Sequence, residues 1–229
     1  MKKHRSKPVA GITGMLSAAA FACGVSGAAA APVTLPDPVL DEQAVAGRHQ
    51  DSIVLAGGCF WGVQAVFQHV KGVLRAVSGY AGGAANTAQY QAVSTGKTGH
   101  AEAVQVTYDP AQVTLGKLLK VYFSVAHDPT ELNYQGPDHG TQYRSAIFYA
   151  TPEQQKIAAA YIQQINVAEV FDNPVVTTLE PLQAFYPAEE YHQDYATEHP
   201  DNAYIIVNDL PKVANLKKQL PDLYKEDGE

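Results

Sequence analysis

A short apolar strand, two glycines, a cysteine and an amphipathic helix follow one another near the start of the folded part of the chain. Residues 53–56 form an apolar run that stops at Gly57 and Gly58, a pattern typical of a buried strand that ends in a turn. Apolar side chains then recur with helical spacing, at Val63, Val66, Phe67 and Val70. This junction constrains the fold most, because it predicts a strand–turn–helix unit with Cys59 in the first turn of the helix.

Further strand and helix signals alternate along the chain. Strands are predicted at residues 73–77, 101–108, 144–149 and 175–179, with a loop over residues 79–86. Helices are predicted after Thr114 and after Thr151, because each threonine is a good N-cap and precedes an amphipathic stretch. This order predicts one α+β domain over residues 52–212, a sheet covered by helices, followed by a C-terminal helix and tail over residues 213–229.

Residues 1–30 have the pattern of a cleaved signal peptide. The chain opens on a basic stretch that contains Lys2, Lys3, Arg5 and Lys7. A weakly apolar segment follows, and small residues precede Pro32, so cleavage is predicted near Ala30. We therefore expect a protein of the periplasm or the medium, in which residues 31–51 are a flexible tail without periodicity.

Two other fates of this N-terminal segment are weaker hypotheses. The apolar stretch is interrupted by Gly24 and Gly27, which is unfavourable for a transmembrane helix. Cys23 could instead accept a lipid, although the residues before it make a poor lipoprotein signal. We expect no membrane span in the mature protein.

Cysteine usage and net charge narrow the function. The chain has two cysteines, and cleavage near Ala30 removes Cys23, so the mature protein carries Cys59 alone. A single thiol in an oxidising compartment is either an inert buried residue or a reactive group. A helix N-terminus is expected to lower the pKa of the Cys59 thiol and favour the reactive thiolate. The formal net charge of −7 argues against a nucleic-acid partner.

Glu102 is the second residue that suggests chemistry. In the strand Ala101–Tyr108 it shares a face with Val104, Val106 and Tyr108, because side chains alternate across a strand. A carboxyl group on an apolar face has a raised pKa, which keeps it protonated as a general acid. The alternative is that Glu102 lies at the solvent-exposed end of the strand, where its carboxylate is simply hydrated.

Three blocks of sequence carry a resemblance to a known family. They are Gly58-Cys59-Phe60-Trp61-Gly62, Gly99-His100-Ala101-Glu102-Ala103-Val104 and Asp138-His139-Gly140-Thr141-Gln142-Tyr143-Arg144-Ser145. In this order they resemble the signatures of peptide methionine sulfoxide reductases of the A type, and the similarity runs from about residue 53 to about residue 202. The resemblance implies a two-layer α/β sandwich (a ferredoxin-like plait) with a mixed sheet.

The same resemblance implies roles for individual residues and an S-specific reduction of methionine sulfoxide in oxidised proteins. Cys59 corresponds to the nucleophile and Glu102 to the proton donor. Two hydroxyl donors around the sulfoxide oxygen correspond to Tyr90 and Tyr143. The substrate-binding residues correspond to Phe60, Trp61 and Asp138. These types suit the reaction, since a thiolate attacks sulfur while hydrogen-bond donors stabilise charge on oxygen.

This chain differs in one respect from many members of the family that it resembles: no cysteine follows Cys59. A sulfenic acid on Cys59 would then need an external thiol, thioredoxin-like or small, and no bound cofactor or metal is expected. We expect a monomer whose partners are oxidised proteins and this reductant. The dispersed residues His127, His139, His192 and His199 lack the spacing of a metal site, and the stretch around His192 reads as a half-exposed helical face.

Two rival functions remain open at this stage. One is a Cys–His hydrolase in which Cys59 pairs with His100 or His139. The other is a non-catalytic periplasmic binding module in which Cys59 is a buried structural residue.

Overall fold

The computed structural model describes residue 1, residues 35–43 and residues 47–226. Apart from Met1, the predicted signal peptide and Cys23 lie outside the described residues. The strands are β1 Asp51–Ala56, β2 Val73–Ala81, β3 Ala101–Tyr108, β4 Tyr134–Gln135, β5 Asp138–His139, β6 Ala146–Tyr149, β7 Thr178–Pro181 and β8 Phe185–Pro187. The α-helices are α1 Phe60–Gln68, α2 Tyr90–Val93, α3 Leu115–Val121, α4 Pro152–Val167, α5 Tyr195–Glu198 and α6 Leu210–Gln219. Single π-helical turns, Tyr122–Ala126 and Ile205–Asp209, follow α3 and precede α6.

The main sheet has six strands in the order β7-β6-β1-β3-β2-β8. Neighbouring strands are antiparallel except β6 and β7, which are parallel, so the sheet is mixed. Helices α1, α3, α4 and α6 all contribute buried side chains to the apolar cluster on one face. The predicted α+β class, with helices against a mixed sheet, is confirmed, while the more specific ferredoxin-like plait stays a prediction.

The two faces of the sheet differ in the size of their side chains. The helix-covered face carries Val104, Val106 and Tyr108 from β3, all fully buried. The opposite face carries small residues such as Ala101 and Ala103, which pack with Phe148 and with Phe185 beyond. Glu102 therefore projects from β3 to the side of the sheet on which α1 lies, as the alternation along this strand predicts.

The secondary-structure predictions differ from the structure mainly at element ends. The strand predicted at residues 73–77 extends to Ala81, so it includes the start of the predicted loop. Pairing with β3 and β8 explains the extension, since both neighbours supply backbone partners there. The strand predicted at residues 175–179 is instead Thr178–Pro181, where β6 runs alongside. Thr114 and Thr151 cap their helices as predicted, accepting hydrogen bonds from the backbone N–H groups of Lys117 and Gln154.

The prediction of a flexible tail over residues 31–51 is wrong for residues 35–43. Leu35 is buried in the main core, and the Tyr161 hydroxyl donates to the backbone carbonyl of Pro36 at 2.8 Å. Asp41 and Glu42 accept hydrogen bonds from backbone N–H groups at the start of α3. A stretch without periodicity is predicted to be flexible, but its two acidic residues cap a helix here, which only the packed structure reveals.

The predicted boundary between residues 212 and 213 falls inside α6. Leu216 of this helix is fully buried, and the backbone N–H of Lys225 donates to the carbonyl of His69 at 2.9 Å. The C-terminal residues up to 225 thus pack with the α+β domain predicted upstream. In the described part of the chain, we find no helix of the length and apolarity needed to cross a membrane.

Candidate active site

The turn between β1 and α1 is packed tightly from outside. Gly58 has φ +85°, a left-handed conformation that favours glycine. A Cβ on Gly57 would lie 2.8 Å from Cγ of His127, and one on Gly58 would lie 2.6 Å from Cβ of Gln135. One side chain that follows the π-helical turn after α3 and one from β4 therefore pack against this turn, and Cys59 follows it as the N-cap residue of α1.

His127 has a structural environment. Its ring Nε2 lies 2.7 Å from the Ser145 hydroxyl, and Nδ1 lies 3.2 Å from the carbonyl oxygen of Tyr122. Burial lowers the pKa of His127 to about 3, so the ring is neutral. Among the residues that the structure describes, no cluster of three or more histidine, cysteine, aspartate or glutamate side chains could hold a metal ion.

Cys59 is buried, with 8% of its surface exposed. Burial raises the pKa of its thiol well above the usual value, and the carboxylates of Glu102 and Asp209 act in the same direction. The backbone N–H of Trp61 and the charge of Lys212 favour the thiolate but do not outweigh burial. The expectation of a lowered pKa was therefore wrong for this resting site, because desolvation outweighs the field of the helix N-terminus.

Glu102 lies directly beneath the start of α1. It is 2% exposed, and its Oε2 accepts a hydrogen bond of 3.1 Å from the backbone N–H of Phe60. Burial raises the pKa of Glu102 to about 8, so the carboxyl group is protonated at neutral pH. The expectation of a buried acid on the apolar face of β3 is confirmed, and the alternative of a solvent-exposed strand end is excluded.

Tyr90, Tyr143 and Asp138 come to the same place from three separate elements. Tyr90 opens α2, Asp138 lies in the β4–β5 ribbon, and Tyr143 ends the 3₁₀ turn Thr141–Tyr143. Burial raises the pKa values of both tyrosines, and the charges of Glu102 and Cys59 raise them further. The two phenols thus stay protonated and can donate hydrogen bonds close to the sulfur.

The two aromatic residues after Cys59 have different exposure. Phe60 is 1% exposed and packs in the core against Tyr80, with ring centroids 5.9 Å apart. Trp61 is partly exposed, and its indole is stacked on Tyr195 with centroids 3.9 Å apart and planes 10° apart. Trp61 presents apolar surface at the site, while Phe60 supports it from within.

Sequence reasoning missed several residues around Trp61. Tyr204 lies edge-on to the indole, with centroids 6.0 Å apart, and its hydroxyl donates to the carboxylate of Asp138. His192 is 2% exposed, and the indole N–H donates to its Nδ1 at 3.3 Å, so the predicted half-exposed face is wrong for this residue. No local pattern marks these residues, since they reach the site only through tertiary packing of the C-terminal third.

The hydrolase alternative needs a histidine beside Cys59, and neither candidate takes that place. The Nδ1 of His100 accepts from the backbone N–H of Gly83 at 3.2 Å, and its Nε2 lies 3.0 Å from the carbonyl oxygen of Ala84. His139 is exposed and stacks on Tyr134, with centroids 5.5 Å apart. The site groups a thiol, a protonated carboxyl and two phenols, a set suited to nucleophilic attack coupled to protonation of an oxygen.

Comparison with known proteins gives one consistent result. The family model described as "Peptide methionine sulfoxide reductase" matches residues 51–223. The chain is 59% identical to "Peptide methionine sulfoxide reductase MsrA 2" of Mesorhizobium japonicum, over 82% of this chain and 95% of that protein. It is 49% identical to the protein of the same name from Synechocystis sp., over 83% of this chain and 90% of that one. Among solved structures, it resembles reduced Mxr1 from Saccharomyces cerevisiae (TM-score 0.63, 34% identity, 72% of this chain and 92% of that chain). It also resembles methionine sulfoxide reductase A of Corynebacterium diphtheriae (TM-score 0.57, 35% identity, 74% of this chain and 84% of that chain).

Proposed function

This chain belongs to the A-type peptide methionine sulfoxide reductase family, and we propose that it uses Cys59 to reduce the S epimer of methionine sulfoxide, in oxidised proteins and as the free amino acid. Membership makes it an oxidoreductase that acts on methionine sulfoxide. The single observation that carries the assignment of residues is the start of α1, where Cys59 and a protonated Glu102 meet beside two phenols.

In the proposed first step the sulfur of Cys59 attacks the sulfoxide sulfur. Glu102 gives its proton to the sulfoxide oxygen, and the hydroxyl groups of Tyr90 and Tyr143 donate hydrogen bonds to that oxygen as charge builds on it. The oxygen passes from the substrate sulfur to Sγ as the sulfur–sulfur bond formed in the attack breaks, so methionine sulfoxide is reduced by two electrons to methionine and Cys59 is oxidised to a sulfenic acid. Trp61 receives the methyl group, and Asp138 with Tyr204 positions the substrate beside it.

Reduction of the sulfenic acid back to the Cys59 thiol, here called the reset, requires thiols from outside the chain. One thiol condenses with the sulfenic acid to give a mixed disulfide and water, and a second thiol releases Cys59 with formation of an external disulfide. No cysteine follows Cys59 in the sequence, which supports a thioredoxin-like or small-molecule reductant. After stoichiometric oxidation by substrate, dimedone should trap Cys59 as a sulfenic acid.

The decisive experiment presents one peptide with either pure sulfoxide epimer, together with dithiothreitol, and measures loss of one oxygen mass. We expect conversion of the S epimer only, because one chiral arrangement of methyl, oxygen and lone pair fits between the aromatic wall and the hydroxyl donors. Equal consumption of both epimers would contradict this pocket. No conversion of either would refute the activity itself.

We also propose export to the periplasm or the medium after removal of residues 1–30. The basic stretch, the apolar segment and the small residues before Pro32 support this proposal. Mass spectrometry of the protein purified from its source tests it, because a mature N-terminus near Ala31 is expected. A retained, lipidated Cys23 would refute the cleavage site alone, and a Cys23 retained and bonded to Cys59 after turnover would refute both the cleavage site and the external reset.

A further inference from the structure

An ion pair between a buried carboxylate and a partly buried lysine, both from the C-terminal end of the fold, lies beside the site. Asp209, the last residue of the π-helical turn before α6, has none of its surface exposed. Its Oδ1 accepts a hydrogen bond from Nζ of Lys212 at 3.2 Å, while its Oδ2 is buried and has no hydrogen-bond partner in the described part of the chain. A buried carboxylate satisfied on one oxygen only contributes little to stability, so the pair is poorly explained as a structural feature.

The pair lies against the first turn of α1. A Cβ on Gly62 would meet Oδ1 of Asp209 and would lie 2.8 Å from Nζ of Lys212. Gly62 is the third residue of α1, and the side chain of an N-cap residue faces the backbone N–H groups of the second and third residues. The sulfur of Cys59 and the ammonium group of Lys212 therefore share the same turn of helix, and the absence of a side chain at Gly62 makes this approach possible.

The other groups that face Cys59 are neutral or negative. Glu102 approaches from β3, Tyr90 from α2 and Tyr143 from its 3₁₀ turn. Tyr204, the residue just before the second π-helical turn, also faces the sulfur and donates a hydrogen bond to Asp138. His192 packs against Trp61 and Tyr90, with ring centroids 5.8 and 4.3 Å away, and burial lowers its pKa. Among the main charges that shift the pKa of Cys59, those of Glu102 and Asp209 raise it and that of Lys212 lowers it.

We propose that Lys212, held against Gly62 by Asp209, is the counter-charge that stabilises the Cys59 thiolate whenever this sulfur attacks or leaves. Asp209 is a positioning residue that holds Lys212 in place, while its own negative charge opposes the thiolate. The role of Lys212 when the Cys59 thiolate is the leaving group rests on the proposed function, since that step belongs to the reset by external thiols.

The reset explains why a counter-charge is useful in this chain. In the second exchange, the thiolate of the reductant attacks the sulfur of the mixed disulfide that came from the first reductant molecule. A new bond forms between the two reductant sulfurs, the bond to Sγ breaks, and its electron pair leaves on Sγ as a thiolate. A better stabilised thiolate leaves faster, so the cation over α1 assists a step that occurs in every turnover.

The test follows the alkylation of Cys59 by iodoacetamide as a function of pH in the full chain without substrate. We expect Lys212→Met to move the midpoint to higher pH and to slow alkylation by about 3- to 10-fold at neutral pH, because a lost opposite charge raises a thiol pKa. Lys212→Arg should keep the wild-type profile. Lys217→Met is the matched control, since Lys217 lies on the same helix, is 59% exposed and pairs with Glu226 away from the site.

A second pair of variants guards against a folding defect in Lys212→Met. Asparagine keeps the Oδ1 acceptor for Lys212 and loses the negative charge that opposes the thiolate, so Asp209→Asn should speed alkylation. Asp209→Asn/Lys212→Met should then be slower than Asp209→Asn by a factor similar to that of the single lysine variant. Identical profiles for Lys212→Met, Lys217→Met and wild type would overturn the proposal, as would identical profiles for Asp209→Asn and the double variant. Alkylation needs no sulfoxide, so these outcomes are independent of whether the enzyme reduces methionine sulfoxide.

Discussion

The N-terminal ends of α1 and α3 share one hydrogen-bond arrangement but have different roles. In both helices the backbone N–H of the first residue donates to a buried glutamate from elsewhere in the chain. Phe60 donates to Glu102 at 3.1 Å, and Leu115 donates to Glu42 at 2.6 Å. Burial raises the pKa values of both glutamates.

The difference lies in what else satisfies each helix start. At α3, the Thr114 hydroxyl accepts from the N–H of Lys117, Asp41 accepts from the N–H of Gly116 at 2.8 Å, and the Tyr108 hydroxyl donates to Glu42. At α1, Cys59 is the N-cap residue but makes no side-chain capping hydrogen bond. A fully capped helix start adds stability, whereas one that is left partly uncapped keeps its N–H groups and its acid available for chemistry.

The largest expected effect comes from giving α1 the cap that α3 already has. Cys59→Ser should abolish sulfoxide reduction, because a hydroxyl group is a far poorer nucleophile than a thiol at neutral pH. Serine is a preferred N-cap residue, so the thermal midpoint should stay the same or rise. Peptide turnover and a melting curve on the same sample check both halves. Substantial residual turnover would remove Cys59 from the mechanism.

Glu102→Gln tests whether the buried glutamate at the start of α1 supplies a proton to the sulfoxide oxygen. Glutamine can donate a hydrogen bond but cannot give a proton to the oxygen, so we expect the single-turnover rate to fall by about 10²–10⁴-fold. Substrate affinity should change much less. Rapid-quench kinetics with excess enzyme measures the rate, and an unaltered rate would assign the proton to another group.

The pH dependence of kcat/KM follows from the two raised pKa values. The reactive form carries a proton on Glu102 and none on Cys59, so it is the singly protonated state of the pair. With the pKa of Glu102 at about 8 and that of Cys59 raised further, kcat/KM should rise with pH up to about 8 and then level off. In Glu102→Gln only the thiol titrates, so the rate should keep rising above pH 8. A wild-type rate that falls steadily from neutral pH would contradict this assignment.

The smallest effect is expected where the glutamate is structural. Glu42→Ala leaves the N–H of Leu115 without its partner, so the free energy of unfolding should fall by about 1–3 kcal/mol. Activity per folded molecule should remain near that of the wild type, since Glu42 has no contact with the site. Urea unfolding measures the change, with Asp37→Asn as control. Asp37 pairs with Lys120 at the surface with its side chain 87% exposed, and its loss should cost less than about 1 kcal/mol. A large loss of kcat in Glu42→Ala would show that the two helix starts are linked.

Much of this architecture could be predicted from local pattern. The junction at Gly57 and Gly58, the alternating strand that carries Glu102 and the two threonine caps are all encoded within a few residues, and the structure confirms them. The buried acid was predictable because alternation along a strand fixes which face a side chain takes. The strand ends at residues 77 and 175 were not, since neighbouring strands decide how far pairing extends.

The sequence by itself determined the type of each chemical group and the local element that carries it: a thiol at a helix start, an acid on an apolar strand face, and no later cysteine. Only the tertiary structure decided the charge state of these groups, because desolvation depends on everything packed around them. Desolvation raises the pKa of Cys59, whereas the helix N-terminus alone suggested a lowered pKa. The tertiary structure also brings Tyr204, Asp209 and Lys212 to the site from the C-terminal end of the chain, over separations along the sequence for which no local pattern exists.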